Sequence, residues 1–545
     1  MKVSDPSIRF GLIVAVALAL TAVSGPVQRV GAQAPAASQL GTITFPTSAK
    51  PAAQAPFLTG TKALYNFEFD LAGEAFRESQ KADPAFALAY WGEAMSYNHP
   101  LWAAQDLAAA RRVLGRLAGT AAERAAKAPA GKERELVQAV DILFGAGDKL
   151  ARDKAYAAAM QRMHATYPND DEIACFYALA LLGTARPGES NTRNAMQAAA
   201  ISQEIFRRNP QHPGAAHYII HAFDDPDHAI LGLPAARAYS RIAPSAAHAL
   251  HMPSHIFVQL GLWDDVVASN VVAYKAAVDL ADLKNLPRGR EDFHTLSWLQ
   301  YAYLQQGRFD EADRAVSTAR AVADKDTSPS VRDGYASMKA RQVVETAKWE
   351  KLALPSGPGK DGGAPGYNGS AAYLLAAGLS AASLGDTATA TLALERLKAV
   401  RVQAESGSNA YRAKPFAIME KEVGAALASA QKDTATAERL LKDATAIELT
   451  LDDPSGPAEP IKPSFELYGE LLVELHRPAE AAAQFQHALQ RMPNRRASLV
   501  GLERATGQRP ATAQVGRLSD EHIVRLNRAV QLFLGLAGPA SSARE

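Results

Sequence analysis

Three observations predict an all-α fold, an α-solenoid of stacked helix–turn–helix units arranged in one or two arrays. The chain has 545 residues, too many for one ordinary core and normal for a repeat array. From about Leu58 it reads as helix almost throughout, with Gly, Pro and Asp breaks at short intervals, and nothing reads as a strand. Features also recur at 34 residues, the length of one such unit: the helix-ending prolines of RNP (208–210) and IAP (242–244), and the histidine pairs of HYIIH and HMPSH. Aromatic residues are 7% and alanine is abundant, which suits close-packed helices better than a β-sandwich.

The N-terminal residues read as an export signal over 1–34. Lys2 and Arg9 make a basic start, Phe10 to Val23 is apolar, and Ala32-Gln33-Ala34 resembles a cleavage box, with retention as an N-terminal anchor the alternative. The expected location is the periplasm or outside the cell. Residues 35–56 are Ala/Pro/Ser-rich without a helical face and read as a flexible linker. A first array follows over 57–354. PSGPGKDGGAPGYNGS (355–370) cannot be helix and reads as a loop before a second array over 371–508. Residues 509–545 read as a capping helix, with Ser519 as N-cap, and a tail.

Charge narrows the partners. Lys+Arg is 58 and Asp+Glu 57, with no long basic run, so no nucleic-acid groove is expected. No later stretch is long and apolar enough to span a bilayer. Cys175 is the single cysteine, lies in an apolar helix, and reads as inert core rather than nucleophile. There is no G-x-S-x-G, P-loop, strand-linked GxGxxG, CxxCH or H-E-x-x-H, and no organic cofactor is expected.

The best single unit carries Gly469, Ala481, Phe485, Ala488 and Pro493 at the spacing G-x11-A-x3-F-x2-A-x4-P. Ala72, Phe76, Ser79 and Pro84 repeat part of it, as do Gly307 with Ala312, and the turns GDTATA (385–390) and KDTATA (432–437). The small residues allow close helix approach, the aromatic fills the gap, and proline ends the second helix. On these residues the chain resembles the tetratricopeptide repeat (TPR) family over most of 58–505. Through AYWGEAMSYNHPLW, HYIIHAFDDPDHA, HALHMPSHIF and ELYGELLVEL it is similar to a group of exported bacterial TPR proteins with an HxxxH…HxxHxxxH cluster. The resemblance implies a fold and a concave groove lined by positions 2, 5 and 9 of each first helix.

Counted from the helix-ending prolines, His217 and His221 take positions 5 and 9 of one unit. His248, His251 and His255 take 2, 5 and 9 of the next, and His294 takes 2 of the third. Seven of thirteen histidines fall between 212 and 255. Side chains four apart share a helix face, so each pair could hold one divalent ion. Adjacent helices about 8–10 Å apart could bring the pairs to one ion or two. Such donors suit Zn, Cu, Ni or Fe better than Ca or Mg. Asp224, Asp225 and Asp227 are candidate oxygen ligands beside the first pair, with His228 in the same turn; Asp224, Asp227 and His228 are also groove residues, and the alternative for Asp224 and Asp225 is that they make the turn. His99 and Trp298 are further groove candidates. Glu172 and Arg341 map to groove positions in other units and read as solvated.

Two functions fit these residues. One is an exported scaffold binding a peptide, protein or ligand in its groove, with the histidines holding a transition metal or clamping a carboxylate. The alternative is a metal-dependent hydrolytic enzyme with an Asp of 224–227 as base.

Overall fold

The computed structural model describes residues 39–189, 191–289, 291–326, 328–354, 367–407 and 410–508. The signal segment, most of the Gly/Pro-rich loop and the capping helix lie outside these residues. The fold is an all-α, TPR-like stack of helical hairpins. Pro51–Tyr65 pairs with Phe69–Ala82, Pro213–Ala222 with Ala229–Ile242, and Ser464–Glu474 with Pro478–Arg491. Among the described residues the strand content is one two-residue ladder, Asn98–His99 with Ala104–Gln105. No described helix is long and apolar enough to cross a membrane.

Local sequence explains the hairpins. In the GDTATA and KDTATA turns the Asp386 and Asp433 carboxylates accept the Thr389 and Thr436 amides and so cap the helices Thr387–Glu405 and Thr434–Glu448. The aromatic plug recurs 409 positions apart in the chain. The Phe76 ring sits against Gly60 and Gly92, where a Cβ would come within 2.8 and 2.3 Å of it. Phe485 sits against Gly469 and Gly501 in the same way, at 2.8 and 2.3 Å. Each ring is fully buried. It fills the space between the first helices of two successive units, worth about 2–3 kcal/mol of burial per ring.

Residues 39–56 differ from the expected flexible linker. Pro51 opens the first helix, and residues 39–50 form an extended strap that crosses the units in reverse order. Gln39 accepts from Ser245 Oγ (2.7 Å), and the Thr42 amide donates to the Gln211 carbonyl (2.8 Å). The Thr44 amide donates to Glu172 (3.2 Å), and the Ser48 amide and hydroxyl donate to Glu133 (2.5 and 2.7 Å). Leu40 and Phe45 are buried, Phe45 edge-on to Phe57 and Trp91. Composition reports the missing helical face; it does not report that carboxylates at helix N-termini wait to satisfy the amides of an extended segment. For the same reason Glu172 is not solvated: it is 1% exposed and also accepts the Tyr65 hydroxyl at 2.6 Å. Arg341 is buried as well. Cys175 lies fully inside the core, and burial raises its thiol pKa well above the ordinary value.

The packing continues across the 355–366 segment, since Ala340 and Val344 share a core cluster with Ala371 to Leu379. The stretch 452–495 then returns to the middle of the chain. Pro454 O accepts from Gln259 (2.7 Å), Gly456 lies against the Trp298 ring, and Arg495 bonds Glu345 (2.6 Å) and Glu466 (2.8 Å).

Candidate metal centre

Three successive first helices carry the six histidines: Pro213–Ala222, then Ala247–His251 running into Pro253–Gln259, then Glu291–Gln305. The middle helix breaks at Met252, where the His255 amide turns back to the Met252 carbonyl (3.1 Å), yet His251 and His255 stay one turn apart.

The imidazoles form two sets, His217–His221–His248 and His251–His255–His294, and within each set the ligand atoms lie within 4.8 Å of one another. Each set takes an i,i+4 pair from one unit and the position-2 histidine of the next. Of the two arrangements the spacing allowed, one shared cluster or two, the structure has two, and each pair is completed by its own third ring.

In the first set His221 Nε2 and His248 Nε2 stand 3.0 and 3.2 Å from His217 Nε2. His217 Nδ1 lies 2.7 Å from the Tyr65 carbonyl, which can only accept, so Nδ1 carries the proton and Nε2 a bare lone pair. That lone pair can accept one hydrogen bond, and two nitrogens face it. Imidazole nitrogens sharing an ion at about 2.0–2.1 Å sit about 2.8–3.4 Å apart, for angles between square and tetrahedral.

The second set repeats this design. His251 Nδ1 donates to Asn270 Oδ1 (2.7 Å), whose amide is oriented by its own donation to the Val266 carbonyl (2.8 Å). His251 Nε2 then faces His294 Nε2 at 2.9 Å. His255 Nδ1 donates to Asp224 Oδ2 (2.6 Å), and Gln259 Nε2 donates to Asp224 Oδ1 (3.2 Å) and to Pro454 O (2.7 Å). Carbonyl, amide and carboxylate partners of this kind fix the tautomer and aim of a metal-ligating ring.

Aromatic rings wall both sets. Phe67 lies 4.4, 5.9 and 5.4 Å from His217, His221 and His248, held in a left-handed turn at φ 55°. Trp298 lies 4.4, 4.9 and 5.8 Å from His255, His251 and His294. His217 and His251 are buried, His221, His248 and His255 partly so, and the His294 edge is exposed. Burial disfavours the cation and lowers the pKa of His217 to about 3. His221, His248 and His251 fall well below the ordinary value through burial and then neighbouring imidazoles, and His294 falls to about 4 for the same two reasons. The lowered rings are neutral near pH 7, the form a metal requires.

Other expected groove residues sit outside both sets. Asp224 is an outer partner of His255 rather than a ligand. Its two oxygens are engaged, so it is not the free base that a hydrolytic reaction needs. Asp225 accepts the amides of Asp227 and His228 (3.0 and 2.9 Å) and the His228 ring (2.8 Å), which makes the turn; Asp227 itself is exposed. His99 stacks on Phe69 at 4.1 Å, beyond its helix, which ends at Met95. Sequence reasoning missed Tyr65, Phe67, Asn270 and Gln259. Phe67 follows the first helix closely enough to have been a groove candidate, whereas a backbone carbonyl leaves no mark in sequence.

No family model and no curated protein matches this chain. Solved helical-repeat structures resemble it at low identity. The APC/C hetero-tetramer Cut9–Hcn1 is 12% identical, with 85% of this chain and 78% of that chain covered and a TM-score of 0.34. Yeast Tom70 is 10% identical over 88% and 92%, at 0.31, and the P58(IPK) TPR domain is 13% identical over 84% and 97%, at 0.22. These likenesses are of fold.

Proposed function

We propose that this TPR-like repeat protein binds transition-metal ions through its two three-imidazole sets, one ion to each. The observation that carries the reading is the pair of nitrogens at 3.0 and 3.2 Å from the single bare lone pair of His217. A cation satisfies all three atoms, and one shared proton cannot. All-nitrogen donors favour Zn, Cu, Ni or Fe over Ca or Mg. The ions would cross-link successive units, or be held for delivery. The basic and then apolar N-terminus supports placing this role outside the cytoplasm.

A peptide carboxylate could meet the exposed His294 edge. His217 and His251 are covered by Phe67 and Trp298, so the clamp reading leaves the two most buried rings without a task.

The test is metal content after loading tag-free full-length protein with Zn(II) and exhaustive dialysis. Wild type should retain two ions per chain. His221→Ala and His255→Ala should each retain one, and His164→Ala should retain two. Absence of uptake on titration would leave the carboxylate clamp as the better account.

A further inference from the structure

We infer that the two imidazole sets act together as one dinuclear centre, which takes a small two-donor anion from solution as its bridging ligand. This rests on the metal reading above and deepens it.

Proximity is the first argument. His221 of the first set and His255 of the second have ring centroids 5.9 Å apart, edge to face. That is close to the 5.2 Å between His251 and His255 inside the second set. The sets are neighbours in the same sense that their own members are.

Charge is the second argument. Every donor in both sets is an imidazole, and among the described residues no carboxylate joins either set. The nearest acids are committed elsewhere. Asp224 holds His255 Nδ1 and Gln259. Asp225 holds the His228 turn, and Asp292 bonds Arg288 and the Gly289 amide. Glu68 accepts the His248 backbone amide. Two divalent ions would therefore bring four positive charges among rings that are largely buried, with no anionic ligand from the chain and with the Asp224 carboxylate on His255 offsetting only part of them from outside. Buried charge that is only partly balanced is strongly unfavourable. An anion recruited from solvent removes that penalty.

Coordination number is the third. Three nitrogens leave at least one position open on each ion. Both open positions belong to neighbouring sets, so one anion with two donor atoms can fill both.

Access is the fourth. The inner rings of His217 and His251 are sealed, whereas His294 is exposed and His221 and His248 are partly so. Trp102, 56% exposed, stands 6.4 Å from the His248 ring on the rim of the first set. The centre is closed on the core side and open on one side to small solutes.

The experiment uses the full chain loaded with Cu(II), titrated with azide, and followed by absorption and electron paramagnetic resonance. The expected result is two copper ions per chain and one azide per two ions. A charge-transfer band should grow while the resonance intensity falls, because a shared ligand couples the two spins. His294→Ala, at the exposed edge, removes a ligand of the second set with least disturbance to the core. It should weaken azide binding at least about a hundredfold, the loss that goes with one attachment point instead of two. Far-ultraviolet circular dichroism confirms that this variant is folded. Two copper ions with no azide response, or two azides per chain with full resonance intensity, would overturn the bridged centre and leave two separate metal sites. No copper uptake by wild type would remove the metal reading, and this inference with it.

Discussion

The carbonyl of Tyr65 accepts the Nδ1 proton of His217 at 2.7 Å, across 152 residues of chain. The last residue of the first helix thereby sets which nitrogen of a distant ring is free. Filling the first set should then hold the first helix in place. Amide exchange in Pro51–Tyr65 should slow about tenfold on adding Zn(II), an effect of roughly 1.4 kcal/mol. Exchange in Ser464–Glu474 should stay as it was. Equal slowing in both helices would mean that this hydrogen bond transmits nothing.

The outer partner of His255 separates the two sets. Asp224→Asn keeps the shape and removes the charge that holds His255 Nδ1. Affinity at the second set should fall about 10–100-fold, with the first set unchanged. Trp298, against all three rings of the second set, reports that loss through quenching by Cu(II). Loss of both sites in Asp224→Asn would point to a general folding defect instead.

The aromatic plug gives a stability test with its own control. In Gly92→Ala the new Cβ would stand 2.3 Å from Phe76, whose ring is hemmed in by Phe57 at 5.7 Å. Overpacking of this kind costs about 1–3 kcal/mol and outweighs the gain of up to about 1 kcal/mol from alanine's helix propensity. Gly115, exposed in Leu107–Leu117, meets nothing within 4 Å, so Gly115→Ala should stabilise. Urea unfolding should move the two variants in opposite directions. Movement in the same direction would refute the plug as the cause.

Glu422 sets a pH dependence remote from the histidines. It is fully buried, and neither carboxylate oxygen has a hydrogen-bond partner. Burial first, and then the Glu448 charge, raise its pKa well above the ordinary value of 4.5, against the opposing pull of Lys462. The native chain keeps a proton that the unfolded chain releases above about 4.5. The folded state therefore binds more protons there, and stability falls as pH rises from that point. Glu422→Gln should remove this slope. Its stability relative to wild type should be greater at pH 8 than at pH 5, by at least about 1 kcal/mol. An equal difference at both values would show that the group is already ionised in the fold.

The clustering of the histidines was legible in the sequence. The helix-ending prolines carry the repeat phase, and that phase puts His217, His221, His248, His251, His255 and His294 on one wall. The division into two sets was not readable. It depends on which ring of the following unit leans toward which pair, a matter of helix offset that spacing does not record. The supporting shell was hidden for other reasons. Asn270 and Gln259 look like ordinary helix polar residues until their partners are placed. Asp224 has the same identity as a turn former and as a histidine's anchor. Residues 39–50 misled because low complexity and lack of periodicity describe a free segment and an extended, bonded one equally well.

The strap also bears on how this protein is made. A chain of repeats normally assembles from contacts between neighbours, so an early unit can settle before later ones exist. Here the seats for Gln39, Thr42 and Thr44 are built from residues 245, 211 and 172. The part of the strap that is synthesised first is thus the part that must wait longest for its place. Sealing of this end becomes a late event, and unseating it is the first step that any unravelling from the N-terminal side must take.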